Sequence, residues 1–554
     1  MTRHFDIAVI GAGSGGLSVV AAAAQFGQRV VLFEKGEMGG DCLNYGCVPS
    51  KALLAAAKQA QAMRSTTPFG IAAVEPVIDF GAVMAHVRRA IDAIAPHDSQ
   101  QRFEALGVTV IRAAARFTDA GTIEAAGERF TARRIVIATG SRPALPPIEG
   151  LGDAPFLTNE TVFANTVLPG HLLIIGAGPI GLEMAQAHRR LGARVTVIEA
   201  GTPLAQDDPE LATVVLDQLR AEGVEILPAT SVTRVARTER GIAVEAGGRT
   251  ITGSHLLVAA GRKPNVEDLG LAEAGIAFTA KGITVDGRLR TSNRKVHAVG
   301  DVAGGRFTHE AGYQAGIVLR NVLFALPARA SAMIPHVTYT DPELAQAGLT
   351  EREARAAHGD AIRVLVWPFR DNDRAQAEGH TAGLVKVLTT KRGRILGAGI
   401  VGPGAGELIQ RQQAQGVAHD HCDAGAEHAP GAQAPQRDRE GRDPKIGFRL
   451  AAARREEEQV GDLAVRVSAV RQSREIQQNE GELERAPLRR PLLGWVTVRS
   501  CVAAARGAGD RQVHEGEGAA RGLAGGQYVD PCGDARAGDL HLLYEGTGGL
   551  ATPR

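Results

Sequence analysis

Short, nearly unbroken apolar runs, each closed by glycines and followed by an alanine-rich stretch, set the pattern of the amino-terminal part of the chain. Phe5-Asp6-Ile7-Ala8-Val9-Ile10 predicts a buried parallel strand, because a strand covered on both faces carries apolar side chains at successive positions. Gly11-Ala12-Gly13-Ser14-Gly15-Gly16 follows, then an Ala-rich helix to Phe26 and a strand, Arg29–Phe33, ending in Glu34. The same order recurs with Leu172–Ile175, Gly176-Ala177-Gly178-Pro179-Ile180-Gly181, a helix to Leu191 and a strand, Arg194–Ile198, ending in Glu199. Strands alternating with helices predict an α/β fold with two Rossmann-like units. From Pro335 the pattern changes. His336–Glu343 and runs around Leu365–Phe369, Ala382–Thr389 and Ile395–Val401, each bounded by turn residues, predict the strands of a further α+β unit.

Each repeat carries G-x-G-x-x-G in its full strand–turn–helix setting, which gives every glycine a task. Gly11 and Gly176 make the tight turn, Gly13 and Gly178 admit a pyrophosphate, and Gly16 and Gly181 let helix pack on strand. The acids that end the second strands, Glu34 and Glu199, suit a ribose hydroxyl. Two complete fingerprints predict two dinucleotides. At Glu199 a carboxylate accepts from the 2′-hydroxyl of NAD and repels the 2′-phosphate of NADP, and Ala200–Leu204 offers no Arg or Lys. NAD(H) is therefore expected over NADP(H).

Two of the five cysteines, Cys42 and Cys47, stand just after the first unit. On a continuous helix, at about 1.5 Å per residue, they would lie roughly 7.5 Å apart along the axis. A disulfide wants Cα atoms closer than about 7 Å. A bridge thus requires a tightened turn, for which Gly46 supplies backbone freedom, before a helix with Pro49 in its first turn. Cys47 then sits at a helix N-terminus, where the dipole favours a thiolate. The pair is either a reversible redox couple or two buried structural cysteines. Two dinucleotides beside it suggest a hydride donor and a flavin that passes electrons to sulfur.

At 554 residues the chain has room for roughly three or four domains. Its formal charge of +1 offers nothing to nucleic acid or an anionic membrane surface. No apolar run is long enough to span a bilayer, and a strand at Phe5 leaves no place for a signal peptide. Few cysteines fit a reducing, cytoplasmic setting, where C-x-x-x-x-C is catalytic more often than structural. His336, His358, His380 and His419 show no metal-ligand spacing and are expected at the surface, and no metal is expected.

The stretch Gly39-Gly40-Asp41-Cys42-Leu43-Asn44-Tyr45-Gly46-Cys47-Val48-Pro49-Ser50-Lys51, with Ala138-Thr139-Gly140-Ser141-Arg142-Pro143, Ala260-Gly261-Arg262-Lys263-Pro264-Asn265 and Val299-Gly300-Asp301, resembles the class I pyridine nucleotide-disulfide oxidoreductases. That is the flavoprotein family of dihydrolipoamide dehydrogenase, glutathione reductase and mercuric reductase. The wording of the cysteine stretch and of Trp367-Pro368-Phe369 is nearest the mercuric-reductase-like branch. The resemblance implies an FAD-binding domain in two parts (1–145 and 266–334), an NAD(P)-binding domain (146–265) and a dimerisation domain (335–410) that is incomplete. It implies that Glu34 holds the adenosine ribose of FAD, Ala115 touches the adenine end, Thr139 and Gly140 close the domain, and Asp301 binds the ribityl or ribose-phosphate portion. The helix starting near Thr308 and His309 aims its N-terminus at the flavin C2 oxygen. Lys51 and Glu183 form an ion pair on the nicotinamide side, and Gly261 belongs to the cofactor-binding set. Cys47 becomes the flavin-proximal thiolate and Cys42 the sulfur that attacks the acceptor.

The implied activity is hydride transfer from NAD(P)H through FAD to a Cys42–Cys47 disulfide and on to a disulfide-type acceptor, in a homodimer. A metal ion, a quinone or oxygen as acceptor stays open, as does a flavin-binding protein without turnover. The last reading arises because the pattern fails after Gln410. From Arg411 onward Lys445 is the only lysine, arginines abound, and the only aromatics are Phe448, Trp495, Tyr528 and Tyr544. Residues 411–554 predict a segment of low order. Because the family's last domain is interrupted rather than completed, out-of-frame translation of a GC-rich gene is favoured over a natural tail, and resequencing decides between them. In the family a His-Pro-Thr segment supplies the partner subunit's acid–base group. None occurs here, Glu427-His428-Ala429-Pro430 being a superficial echo, and Cys422, Cys501 and Cys532 are expected to be incidental.

Overall fold

The first strand, β1 (Thr2–Ile10), carries apolar residues at successive positions because both its faces are covered. Ala8 and Ile10 join a core with Ile123, Phe130 and Ile135, whereas Ile7 and Val9 join another with Leu17, Val19 and Ala315. A computed structural model describes residues 2–409 apart from Arg240, Arg306, Ala325 and Ala332. The segment 411–554, with His419, Cys422, Cys501, Cys532 and the Glu427–Pro430 echo, lies outside the described residues.

After β1 come α1 (Ser14–Gln25), β2 (Val30–Phe33), a single short turn of helix, α2 (Gly40–Asn44), and the longer α3 (Cys47–Arg64) and α4 (Phe80–Asp98). Then follow α5 (Gln100–Ala105), β3 (Thr109–Ile111), β4 (Ala115–Phe117), β5 (Thr122–Ala125) and β6 (Glu128–Ile137). The sheet runs β3-β2-β1-β6-β5-β4, with β1, β2, β3 and β6 parallel and β4-β5-β6 an antiparallel meander. Next come β7 (Ser141–Pro143) and α6 (Asn159–Val162), before the second unit opens with β8 (His171–Ile175), α7 (Pro179–Arg190) and β9 (Arg194–Ile198). It is completed by α8 (Pro209–Ala221), β10 (Glu225–Leu227), the meander β11 (Val232–Thr238), β12 (Gly241–Ala246) and β13 (Arg249–Gly253), and β14 (His255–Val258). Its parallel sheet has the order β10-β9-β8-β14. The chain then passes through β15 (Arg262–Pro264), paired with β7, and a hairpin of β16 (Phe278–Thr279) and β17 (Gly282–Ile283). It rejoins the first sheet as β18 (Val296–Ala298), parallel to β6, and continues into α9 (Phe307–Leu323). The last sheet, β19 (His336–Thr338), β20 (Glu343–Gly348), β21 (Ile362–Pro368), β22 (Leu384–Thr390) and β23 (Ile395–Gly402), is antiparallel in the order β19-β20-β23-β22-β21. The fold is α/β with two Rossmann-like units and an α+β unit, as the apolar pattern predicts.

Charges pin the last sheet to the second unit. Lys386, 4% exposed, places Nζ 3.0 Å from Asp208 Oδ1, 3.1 Å from Glu210 Oε2 and 2.6 Å from Glu351 Oε2. A buried ammonium is tolerable only when carboxylates surround it in this way. His336 departs from the surface placement expected of it. Its Nε2 meets Asp207 Oδ1 at 2.9 Å, and Asp207 is buried, because the strand that carries His336 packs onto the second unit. His358 and His380 are exposed.

Two other histidines give the fold an acid limit. His188 and His297 are buried, and desolvation pushes both down to about 4. An unfolded histidine titrates near 6.5, so between these values the unfolded chain binds more protons. Stability present above pH ~6.5 is therefore lost as pH falls through the folded value of about 4. The urea midpoint should drop between pH 7.5 and pH 5, and His188→Asn should flatten that drop. An unchanged slope in the variant would refute the assignment.

Candidate active site

The two glycine loops are built alike, down to their hydrogen bonds. Gly11 and Gly176 have φ of +106° and +107°. A Cβ on Gly16 would lie 1.9 Å from Gly11 O, and one on Gly181 would lie 2.1 Å from Gly176 O, so helix and loop touch backbone to backbone. At Gly13 and Gly178 a Cβ would meet nothing within 4 Å, so these positions leave an open face. Glu34 accepts N–H bonds from Ala12 (2.6 Å) and Gly36 (2.6 Å), and Glu199 accepts them from Ala177 (2.7 Å) and Gly201 (2.8 Å). Each carboxylate oxygen keeps lone-pair capacity for a hydroxyl donor.

A cavity of about 430 Å³ runs past the first loop and is lined by Gly11, Gly13, Glu34 and Ala115, the last opening β4. Thr139 and Gly140 line it too, held by Asn265: Thr139 Oγ1 donates to Asn265 O and Asn265 Nδ2 to Thr139 O, each at 2.8 Å. Asp301 sits on the 3₁₀ turn Gly300–Ala303, where the N-cap is Val299, so its carboxylate is free to face the cavity. It accepts from the Ser141 hydroxyl and lies 3.6 Å from Arg262 Nε. The open glycine, the fixed acid and these lining groups fit a long dinucleotide such as FAD. Gly176, Gly178, Gly181 and Glu199 lie outside this cavity, although Pro179, Ile180 and Glu183 line it. Gly261, at φ +124°, also lies outside it, while its neighbour Arg262 is in the wall.

The helix is broken between the cysteines. α2 stops at Asn44 and α3 starts at Cys47, so the two sulfurs come within hydrogen-bonding reach as free thiols. Gly46 serves this turn through close approach, since a Cβ there would lie 3.0 Å from Asp41 O. The hydrogen bond from Cys47 holds the Cys42 thiol down at about 6, against a burial effect in the other direction. The same hydrogen bond, then burial, pushes the Cys47 thiol up, because a second thiolate beside the first is disfavoured. The adjacent pair thus favours one thiolate over two. Thr308, near the start of α9, lies 3.3 Å from Cys47 Sγ through its Oγ1.

Lys51 and Glu183 come to the same cavity but not to one ion pair. The Glu183 carboxylate accepts the Ser50 hydroxyl at 2.5 Å and the Tyr339 N–H at 2.9 Å, and burial pushes its pKa up. The Lys51 ammonium lies 3.7 Å from the centroid of the Tyr339 ring. A ring face satisfies a cation without a carboxylate, so strand-end residue Tyr339 stands between the expected partners. His309 lines the cavity with its Nε2 3.5 Å from the Tyr339 hydroxyl.

Ser50, Arg262, Tyr339 and Asp41 are the site residues that the sequence reading passed over. Arg262 joins Asp301 to Asp41, which it meets at 3.3 Å. Ser50 and Arg262 stand inside the quoted stretches, one residue from Lys51 and Gly261, so the signal was there. A second cavity of about 350 Å³ shares only Ser14, Cys42 and Thr308 with the first. Cys42 therefore faces both cavities and Cys47 only the larger.

The profile of the pyridine nucleotide-disulphide oxidoreductase family matches residues 5–316, and that of the family's dimerisation domain matches residues 334–417. Mercuric reductase of Acidithiobacillus ferrooxidans is 35% identical over 74% of this chain and 76% of its own. Dihydrolipoyl dehydrogenase of Geobacillus stearothermophilus is 33% identical over 72% and 87%. The HOCl-induced flavoprotein disulfide reductase RclA from Escherichia coli superposes with a TM-score of 0.66 at 28% identity, covering 75% of this chain and 93% of that one.

Proposed function

Since the chain belongs to the class I pyridine nucleotide-disulfide oxidoreductases, enzymes that use FAD and a pyridine nucleotide, we propose that it carries electrons from NADH to a disulfide acceptor through Cys42 and Cys47. The observation that carries this reading is the pair of free thiols, with Cys42 lining both the dinucleotide cavity and a second cavity. Bound FAD would supply two-electron exchange between a nicotinamide and a disulfide. The Gly11 and Gly13 loop and the start of α1 would hold its pyrophosphate, with Glu34 on the ribose, Ala115 at the adenine end and Thr139 and Gly140 along the wall. Asp301 would accept from the ribityl hydroxyls, and Thr308 and His309 would present the N-terminus of α9 to the C2 oxygen. Gly176, Gly178, Gly181 and Glu199 would hold NADH. Gly261 adjoins Arg262, which steadies Asp301. Lys51 and Glu183 would flank the nicotinamide side, the first oriented by Tyr339 and the second by Ser50.

On the acceptor side the Cys42 thiolate attacks one sulfur of R–S–S–R. The bond breaks, RS⁻ leaves and takes the proton of the Cys47 thiol, and a Cys42–S–S–R mixed disulfide remains beside a Cys47 thiolate. The Cys47 thiolate then attacks the Cys42 sulfur, closes the Cys42–Cys47 disulfide and releases the second RS⁻, which takes a proton from solvent. The dithiol loses two electrons and the acceptor gains two. The dimerisation-domain match supports a homodimer. Among the described residues no helix is long and apolar enough to cross a membrane.

Anaerobic reduction of the oxidised, FAD-loaded protein with one equivalent of NADH should expose two new thiols per chain, and NADPH should do so at a far higher concentration. Flavin bleaching with no thiol release would end the disulfide reading.

A further inference from the structure

The cavity of about 350 Å³ beside Cys42 is walled mainly by apolar side chains, among them Leu17, Leu43, Val48, Ile94 and Phe103. Two charged residues line it, Asp98 at the end of α4 and Arg102 in α5. Their commitments differ. The Arg102 guanidinium donates to the His97 carbonyl and lies 5.3 Å from the centroid of the Phe103 ring. The Asp98 carboxylate is partly buried, and among the described residues it has no hydrogen-bond or ion-pair partner. It stands close against bare backbone, since a Cβ on Gly39 would lie 3.1 Å from its Oδ2. Burial raises its pKa, with Arg102 and His97 opposing. A partly desolvated carboxylate with nothing bonded to it is satisfied by a cation and penalises an anion placed beside it.

Resting on the disulfide reading above, we propose that Asp98 is a specificity-determining residue for the species that reaches Cys42. The acceptor it selects is a disulfide with an apolar body and neutral or cationic ends, and doubly anionic disulfides are turned away. The apolar walls suit the body, and the carboxylate reads the end group.

The test measures both labelling and turnover. In the full chain carrying Cys47→Ala, Cys42 is labelled at one pH with 2-aminoethyl, methyl and 2-sulfonatoethyl methanethiosulfonate, each rate being divided by that of 2-mercaptoethanol. In every case Cys42 sulfur attacks the sulfenyl sulfur, methanesulfinate leaves and a mixed disulfide forms. The cationic reagent should react fastest and the anionic slowest, spanning roughly tenfold. Asp98→Asn should shrink the span to about twofold, and Asp98→Lys should reverse the order. Equal rates in the parent protein, or a span that survives Asp98→Asn, would overturn the assignment. In FAD-loaded protein with Cys47 intact, kcat/KM with NADH for cystamine should exceed that for dithiodipropionate by a similar factor. Turnover of both at one rate removes the Asp98 proposal and leaves the disulfide reading standing. Charge-ordered labelling with neither disulfide reduced removes the disulfide reading, and the acceptor assignment with it.

Discussion

Replacing Cys42 with serine should lower disulfide reduction by at least about 10³-fold while leaving FAD bound. A hydroxyl at this position stays protonated at neutral pH, whereas the thiol, held down at about 6, is mostly thiolate by pH 7.5. Cys47→Ala should also stop turnover, but at a later point. Attack on the acceptor still occurs and the chain stalls as the Cys42 mixed disulfide, which intact-mass measurement reads directly. The pH profiles separate the two sulfurs further. In the wild-type dithiol, alkylation at Cys42 should climb as pH rises through about 6 and level off above it. In Cys47→Ala that midpoint should move up, because the hydrogen bond from Cys47 is the largest cause of the lowering. A midpoint left in place would mean that Lys51 and the helix ends, rather than the neighbouring sulfur, hold the thiolate.

What the chain discloses before folding is whatever local spacing controls. Both glycine loops, their flanking strands and the acids at Glu34 and Glu199 were legible because each answers to backbone geometry within one unit. Successive apolar positions in β1 and β8 required cover on both faces, and the cores provide it. The break between α2 and α3 was legible too, since two cysteines five apart cannot meet along one straight helix.

Contacts made across the chain were not legible. The acid at Glu183 and the lysine at Lys51 were foreseen in one place but as a direct pair. Tyr339, which arrives from the edge of the last sheet, takes the cation on its ring and the carboxylate on its N–H. No spacing rule links position 339 to positions 51 and 183. His336 was misplaced for the same reason, its partner Asp207 lying in another unit.

The same substitution made at two glycines of one loop should fail in two different ways. Gly16→Ala puts a methyl group 1.9 Å from Gly11 O, a backbone atom fixed between β1 and α1, so neither partner can yield. The cost should be about 3 kcal/mol or more, read as a lower urea midpoint in the flavin-free protein. Gly13→Ala meets nothing within 4 Å, and φ there is −81°, which alanine accepts. The flavin-free protein should therefore keep its stability. Yet its methyl group would stand on the open face where the proposed FAD pyrophosphate would approach backbone N–H groups. Losing one charge-assisted hydrogen bond of that kind costs about 1.5–3 kcal/mol, so FAD should dissociate roughly 10- to 150-fold more readily. Gly178→Ala, whose loop repeats this geometry with φ −81°, should spare FAD and weaken NADH by a like factor. Should Gly13→Ala retain flavin as tightly as the parent, or Gly178→Ala lose flavin rather than NADH, the division of labour between the two loops would have to be abandoned.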